Sequence, residues 1–463
     1  MVERNVQKLY SDKNLTILFS LWLISYFFGS KIGNLSTGII TIYPNFILSL
    51  FFIPLIFSSI RKYESIYKAI ILVYLAFVLY CVIWIVLNGA SNESVFDMRS
   101  HLFNLFTFLI ITSTYQFFKS KKVIENLLKN ILWIWLVGMV IFGVIEIVTG
   151  FHFSGNYSKS ITGTAFKLID FAPVFIFDNP NDFLLNCIGV LLILLFVDKD
   201  IFNKKWLLIT ALFSLFILSI YAASRISQLV ILLLFVVVFY KFYLKEIKDF
   251  FQENRLLIGI FSICFLVLVG FNSIFFGKDP TNVNSQIDGS FFVKRERNEF
   301  ERIDVKNELN EKQKEKLAQV IIRENKNPGF NSSDIRKKLT QNGIFLFKSN
   351  PVFGVGPGQF GVKCSKKEVP YDVGENVSPH NFVMELISQY GFLAIGYFAY
   401  IFFLLTQLIR YRTENSFWLC TAFVLFASLS LLPSAFNYQP IYWLFMATWI
   451  IFVSNEKEMY FGR

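Results

Sequence analysis

His380 stands between Pro379 and Asn381, with Glu385 about one helical turn further on. An imidazole of ordinary pKa can take a proton from a hydroxyl near neutral pH. Several arginines sit beside apolar runs, among them Arg225 directly after Ser224, Arg336 at the head of an Arg-Lys-Lys stretch, and Arg99. A guanidinium fork matches phosphate oxygens, so Arg225 reads either as an interfacial anchor or as an anion clamp. Glu146 lies inside an apolar run, where an ionisable group serves function or pairs structurally. The run Gly354-Val355-Gly356-Pro357-Gly358 reads as a tight turn, or as a cradle offering the N–H groups of Gly356 and Gly358 to an anion. It has neither the strand–helix setting nor the Lys-Ser/Thr of a nucleotide loop. A base plus anion-binding cations is the chemistry these residue types can perform.

The elements that must position them are apolar helices. The chain has 463 residues, 54% hydrophobic and 17% charged, where soluble domains are nearer a quarter charged. Apolar runs long enough to cross about 30 Å of hydrocarbon recur along it. Spans are predicted at 15–30, 38–60, 69–88, 102–118, 131–149, 181–197, 206–223, 226–243, 256–276, 381–409, 416–433 and 438–454. The first has no small-residue cleavage site behind it, so it reads as a helix rather than a leader. Four cysteines fall in apolar runs and Cys364 is alone in the polar segment, which suits free, buried thiols.

The net charge of +11 follows topology rather than a nucleic-acid module. With the N-terminus inside, the inside segments carry 21 Lys and Arg and the short outside segments carry 5, out of 44. The remainder lie in one long polar segment, which the positive-inside rule does not count. Both termini are then cytoplasmic. Arg99, Glu146, Arg225, Arg336 and His380 all fall on or near the outer side.

This gives transmembrane helices one to nine over 1–276, a mostly helical extracytoplasmic loop over 277–380, and helices ten to twelve over 381–463. Within the loop, Arg295–Asn325 is rich in Glu, Lys, Arg and Leu, and predicts a solvated amphipathic helix. Asp334–Phe347 predicts a second, capped by Ser332 or Ser333. No metal-ligand constellation and no phosphate-binding ATP motif stands in the chain.

Several motifs occur in order over residues 130–410. They are Asn179-Pro180-Asn181 before a span, Ser224-Arg225 at a helix–helix turn, Asn350-Pro351-Val352-Phe353-Gly354-Val355-Gly356-Pro357-Gly358-Gln359-Phe360, Ser378-Pro379-His380-Asn381, and Tyr390-Gly391. Together they resemble the O-antigen ligase / Wzy-type polysaccharide polymerase superfamily. The resemblance implies an all-α, GT-C-like polytopic membrane glycosyltransferase of the bacterial cytoplasmic membrane. It would need no metal or cofactor and would act on the outer face. Its donor would be an undecaprenyl-diphosphate-linked oligosaccharide, and its acceptor a growing glycan (polymerase) or lipid A core or a protein (ligase). Polysaccharide-assembly proteins would be its partners, and nucleic acid would not. By the same resemblance, Arg225 and Arg336 match the family's diphosphate-contacting loop arginines and His380 its loop histidine. Arg99, Glu146, Gly356, Gly358 and Asn381 are the further candidates for substrate contact. A lipid-linked-oligosaccharide flippase is a more distant alternative, but such transporters show internal repeats, and none is visible here.

Overall fold

The structure is a computed structural model that describes residues 10–28, 35–36, 41–42, 44–118, 121–149, 172–177, 179–222, 224–243, 290–294, 300–304, 332–373, 378–431 and 438–461. In chain order the helices are α1 (Asp12–Phe28), α2 (Pro44–Leu50), α3 (Ile53–Ser59), α4 (Ser65–Asn88), α5 (Asn92–Phe117), α6 (Lys121–Thr149), α7 (Pro180–Val197), α8 (Lys205–Tyr221) and α9 (Arg225–Tyr243). After two short strands follow α10 (Ser332–Ser349), α11 (Gln359–Ser365), α12 (Phe382–Tyr390), α13 (Phe392–Tyr411), α14 (Glu414–Leu429) and α15 (Pro440–Phe461).

Among the described residues four helices, α4, α6, α7 and α13, are long and apolar enough to cross a membrane. The pair α2 and Ile53–Lys62, bent by 49°, would make a fifth as a broken span. Sidedness of packing agrees with an integral membrane protein. On α4 the residues Ile66, Ile70, Tyr74, Phe77 and Cys81 are buried, while Leu72, Leu75, Leu79, Val82, Ile83 and Val86 are exposed. Both stripes follow helical spacing, and both are apolar. A helix in water would have made the second stripe polar.

The helix α7 forms the centre. Every residue from Phe183 to Val197 is buried, because α6, α14 and α15 pack around it. Close approach uses small residues. A Cβ on Gly189 would lie 2.6 Å from Ile441, and one on Gly143 2.9 Å from Phe183.

The polar contacts divide into two sets at opposite ends of the helices. At one end Asp198, fully buried, takes the indole N–H of Trp133 at 2.9 Å and the Lys204 and Lys129 ammoniums at 3.6 and 3.9 Å. Lys121 meets Glu458 at 3.3 Å, and Tyr115 donates to Glu125. At the other end lie Asp97, Tyr438 and Asp182, joined through Tyr438 to Asp97 and Gln439 to Asp182. Eighteen residues of α5 separate Asp97 from Tyr115, about 27 Å of helix. Since α8 starts beside Lys204 and runs away from it, the turn before Arg225 comes to the Asp97 end.

Two expectations change. The span predicted at 381–409 is two helices, α12 and α13, broken at Gly391. Gly391 has φ 55°, and a Cβ there would lie 2.5 Å from the carbonyl oxygens of Pro351 and Val352. Chain from the polar loop is wedged against the break, and Phe392 N–H donates to the Val352 carbonyl at 3.1 Å. The helix predicted across Arg295–Asn325 is interrupted at its start, since two strands, Ser290–Lys294 and Phe300–Asp304, form an antiparallel hairpin. A five-residue connection closes it, pairing Phe291 with Ile303. Charge density and absence of Pro favoured a helix, but the apolar run Phe291–Val293 supplies a strand partner. The rest of that stretch, the span at 256–276 and His152 lie outside the described residues. Among the described residues, at least four helices have the length and composition to cross a membrane.

The loop residues beyond 332 have a small core of their own, with Leu339, Leu346, Val355, Phe360 and Cys364 buried together. Asn342, fully buried, donates to the Tyr371 carbonyl at 2.9 Å and accepts its N–H at 3.1 Å. Burial pushes the Cys364 thiol up to about 11. Two units above an ordinary thiol lowers the thiolate fraction at pH 7 about a hundredfold. Cys364 should therefore react with a maleimide about a hundredfold more slowly than a free thiol. Asn342→Ala, which orphans the Tyr371 backbone at a cost of about 1–3 kcal/mol, should speed labelling, as mass spectrometry of the labelled protein would show.

Candidate active site

At the Asp97 end the sequence-predicted residues fall into different surroundings. The first is a buried network that the sequence reading missed. Asp97 is 1% exposed. Its Oδ2 accepts the Tyr390 hydroxyl at 2.6 Å and the Gly358 N–H at 3.0 Å, and its Oδ1 accepts the Tyr438 hydroxyl at 3.1 Å. Since Tyr390 spends its proton on Asp97, its oxygen accepts from His101 Nε2 at 2.8 Å. His101 is fixed by stacking on Phe77 at 4.8 Å. An acidic residue buried near the start of α5 was the available signal. It stood two residues before Arg99, which drew the attention instead.

The glycine-rich turn is seated on this network. Val355 N–H donates to Ser388 O at 2.9 Å, Gly356 N–H to Gln389 O at 3.1 Å, and Gly358 N–H to Asp97. Both Gly356 (φ 101°) and Gly358 (φ 70°) are in the left-handed region, and a Cβ on Gly356 would enter the Trp84 ring at 2.2 Å. Of the two roles open to the turn, the N–H groups are engaged in the tight-turn one.

Asn381 caps α12, its Oδ1 accepting the N–H groups of Val383 and Met384 at 3.1 and 3.2 Å. His380, immediately before the cap, is held at φ 49°. A non-glycine residue in that region carries strain of order 1–3 kcal/mol, a feature that clusters at functional sites. Glu146 is fully buried and accepts the N–H groups of Val174 and Phe175 at 2.6 and 2.7 Å. Phe175 is itself at φ 49°, so this carboxylate pins a strained turn to α6. That is a structural pairing.

Arg99 lies over the Phe96 ring at 4.6 Å. Arg336 is half-buried on α10, and burial draws its pKa below the usual guanidinium range. Because α10 packs on α11 and α12, Arg336 shares an assembly with His380. Arg225 is exposed at the first position of α9, a helix that packs on α7, α8 and α14.

Between the start of α5, the turn leading into α11, the Ser378-Pro379 segment and α12 opens a cleft of about 400 Å³. Glu93, Phe96, Phe360, Glu385, Gln389 and Tyr438 are on its walls, with Gly358 and Pro379. Tyr438 and Gly358 are both fixed from behind by Asp97. His380 follows Pro379 in the chain and is not itself one of the wall residues.

The fold and site define an integral membrane protein of helical architecture with a cleft at one end, between the helices and the loop domain. Residues 209–401 match the family model Wzy_C, described as O-antigen ligase. A stretch of 125 residues is 30% identical to the teichuronic acid biosynthesis protein TuaE of Bacillus subtilis (strain 168). That stretch spans 25% of this chain and 25% of the relative, about a quarter of its length. Residues 209–401 are thus similar to the O-antigen ligase family, and part of the chain is similar to a protein of teichuronic acid biosynthesis.

If Asp97 fixes the cleft wall, Asp97→Ala should lower the melting temperature in detergent by several degrees, because it orphans buried donors at about 1–3 kcal/mol each. Tyr438→Phe, which removes one donor, should have the smaller effect. Equal melting for Asp97→Ala and the wild type, by scanning fluorimetry, would contradict the hub.

Proposed function

We propose that this protein is a membrane glycosyltransferase that moves a glycan from undecaprenyl diphosphate to an acceptor sugar at the outer face of the cytoplasmic membrane, as a polysaccharide polymerase. The observation that carries the reading is the extent of the family match. Residues 209–401 contain Arg225, Arg336 and His380 together with most of the residues on the cleft walls.

In the transfer, the acceptor hydroxyl oxygen forms a bond to the anomeric carbon of the donor. The bond from that carbon to the diphosphate oxygen breaks, and the electron pair leaves with undecaprenyl diphosphate. The hydroxyl proton passes to His380, next in the chain to Pro379 of the cleft wall. Negative charge grows on the leaving diphosphate, and preorganised cations there lower the barrier. Arg225 is the first candidate, with Arg336 and Arg99 assisting. The desolvated surroundings of Arg336 strengthen its attraction for an anion. Sidedness is supported by grouping. Lys121, Lys129, Lys199 and Lys204, all assigned inside by charge counting, pair with acids at one end, and the cleft is at the other.

The family model's description favours a second reading, an O-antigen ligase passing a finished chain to lipid A core or a protein. The relative's name, tied to biosynthesis of teichuronic acid, favours polymer assembly. Deletion separates the two, since single lipid-linked repeat units accumulate without a polymerase and lipid-linked polymer accumulates without a ligase.

His380→Ala should lower transfer by about 10²–10⁴-fold and Arg225→Ala by about 10²–10³-fold, read as surface-polysaccharide chain length at matched protein levels. Unchanged long chains in either variant would remove that residue from the mechanism.

A further inference from the structure

The cleft is the wrong place for the diphosphate. No lysine or arginine stands among the described residues on its walls, and two glutamates do. Arg99 packs on Phe96 but is not one of the wall residues. Glu385 is 3% exposed and sits in the first turn of α12. A carbonyl-like acceptor is also present in Gln389, likewise 3% exposed. Facing these are aromatic rings. Phe96 and Tyr438 meet edge-on at 4.6 Å, and Phe360 is on the wall beside them.

We infer that this cleft is the acceptor subsite, and that the sugar it takes is uncharged or amino-bearing rather than a uronate or phosphorylated sugar. Carboxylates and amides accept hydrogen bonds from vicinal hydroxyls, in fixed directions. Aromatic faces carry negative quadrupole charge and receive the C–H face of a pyranose ring. A cleft of about 400 Å³ lies within the ordinary range for a small-ligand site. Glu93 and Glu385 repel a second carboxylate or a phosphate, and burial of Glu385 reduces the screening of that repulsion. Repulsion of this kind discriminates by excluding the wrong sugar. It leaves the arginines outside the cleft to the donor, so the two substrates are sorted by charge. A sugar seated here lies against Pro379, the residue before His380.

The inference rests on the glycosyl-transfer reading, but its test needs no transfer. Full-length protein in lipid nanodiscs is titrated calorimetrically with a neutral oligosaccharide, the same oligosaccharide ending in a uronate, and undecaprenyl diphosphate. The neutral glycan should bind at least tenfold tighter than the uronate. Glu385→Gln should weaken the neutral glycan about tenfold, and the exposed Glu93→Gln should narrow the gap to the uronate at unchanged melting temperature. Neither variant should alter undecaprenyl diphosphate binding. Equal or tighter uronate binding, no glycan binding, or loss of undecaprenyl diphosphate binding in Glu385→Gln would overturn the inference. Failure of the transferase reading shows separately, as wild-type protein that binds the neutral glycan yet transfers nothing to it.

Discussion

The geometry of the site depends on one buried carboxylate. Burying Asp97 is expensive unless strong donors replace its water. Three do, and they come from a loop glycine 261 residues away, a helix residue 293 away and a residue 341 away. Charge-assisted bonds of this kind are short and directional, so satisfying Asp97 forces the turn before α11, the end of α12 and the approach to α15 into one register. The cleft walls are the outer surfaces of those same pieces. Its shape is thus a consequence of an internal charge being satisfied, and is set before any ligand arrives.

A second constraint acts on the same pieces through sterics. The helix predicted to cross in one run stops at Gly391 because Pro351 and Val352 occupy the space a continuing chain with side chains would need. Backbone bonds from Val355 and Gly356 to the carbonyls of Ser388 and Gln389 then consume the last turn of α12. The loop domain is joined to the membrane domain by these main-chain bonds together with side-chain bonds from Tyr80 to the Phe353 carbonyl and from Ser94 to the Pro357 carbonyl. Such a joint is rigid.

How far the sequence could go follows from which forces act locally. Apolar stripes and caps are local, so α4, α6, α7 and the helix after Ser332 were readable. Charge asymmetry is summed along the chain, so the grouping of lysines at one end was readable as well. Asp97 was not, since its value lies in partners hundreds of residues distant, and Asp-x-Arg-x-His gives no sign of which of the three turns inward. Glu146 was ambiguous for the same reason, because its partners are backbone groups of Val174 and Phe175, which no side-chain pattern announces. The hairpin at 290–304 was misjudged because composition favours a helix where pairing favours a strand.

Under the transferase reading, the arrangement solves a problem of charge. One substrate brings a diphosphate and the other brings hydroxyls, and a single pocket lined by arginines would attract the diphosphate to both positions. Placing carboxylates in the cleft and arginines on the elements around it makes each position hostile to the wrong partner. The even passage of helices through the bundle does the rest. It returns α5, α7, α9 and α15 to the same end, so Arg99, Arg225 and Tyr438 face one side although they belong to distant stretches of sequence. What that reading then requires is that the donor's anomeric carbon come to the cleft, whose wall residue Pro379 is followed in the chain by His380 with its strained backbone.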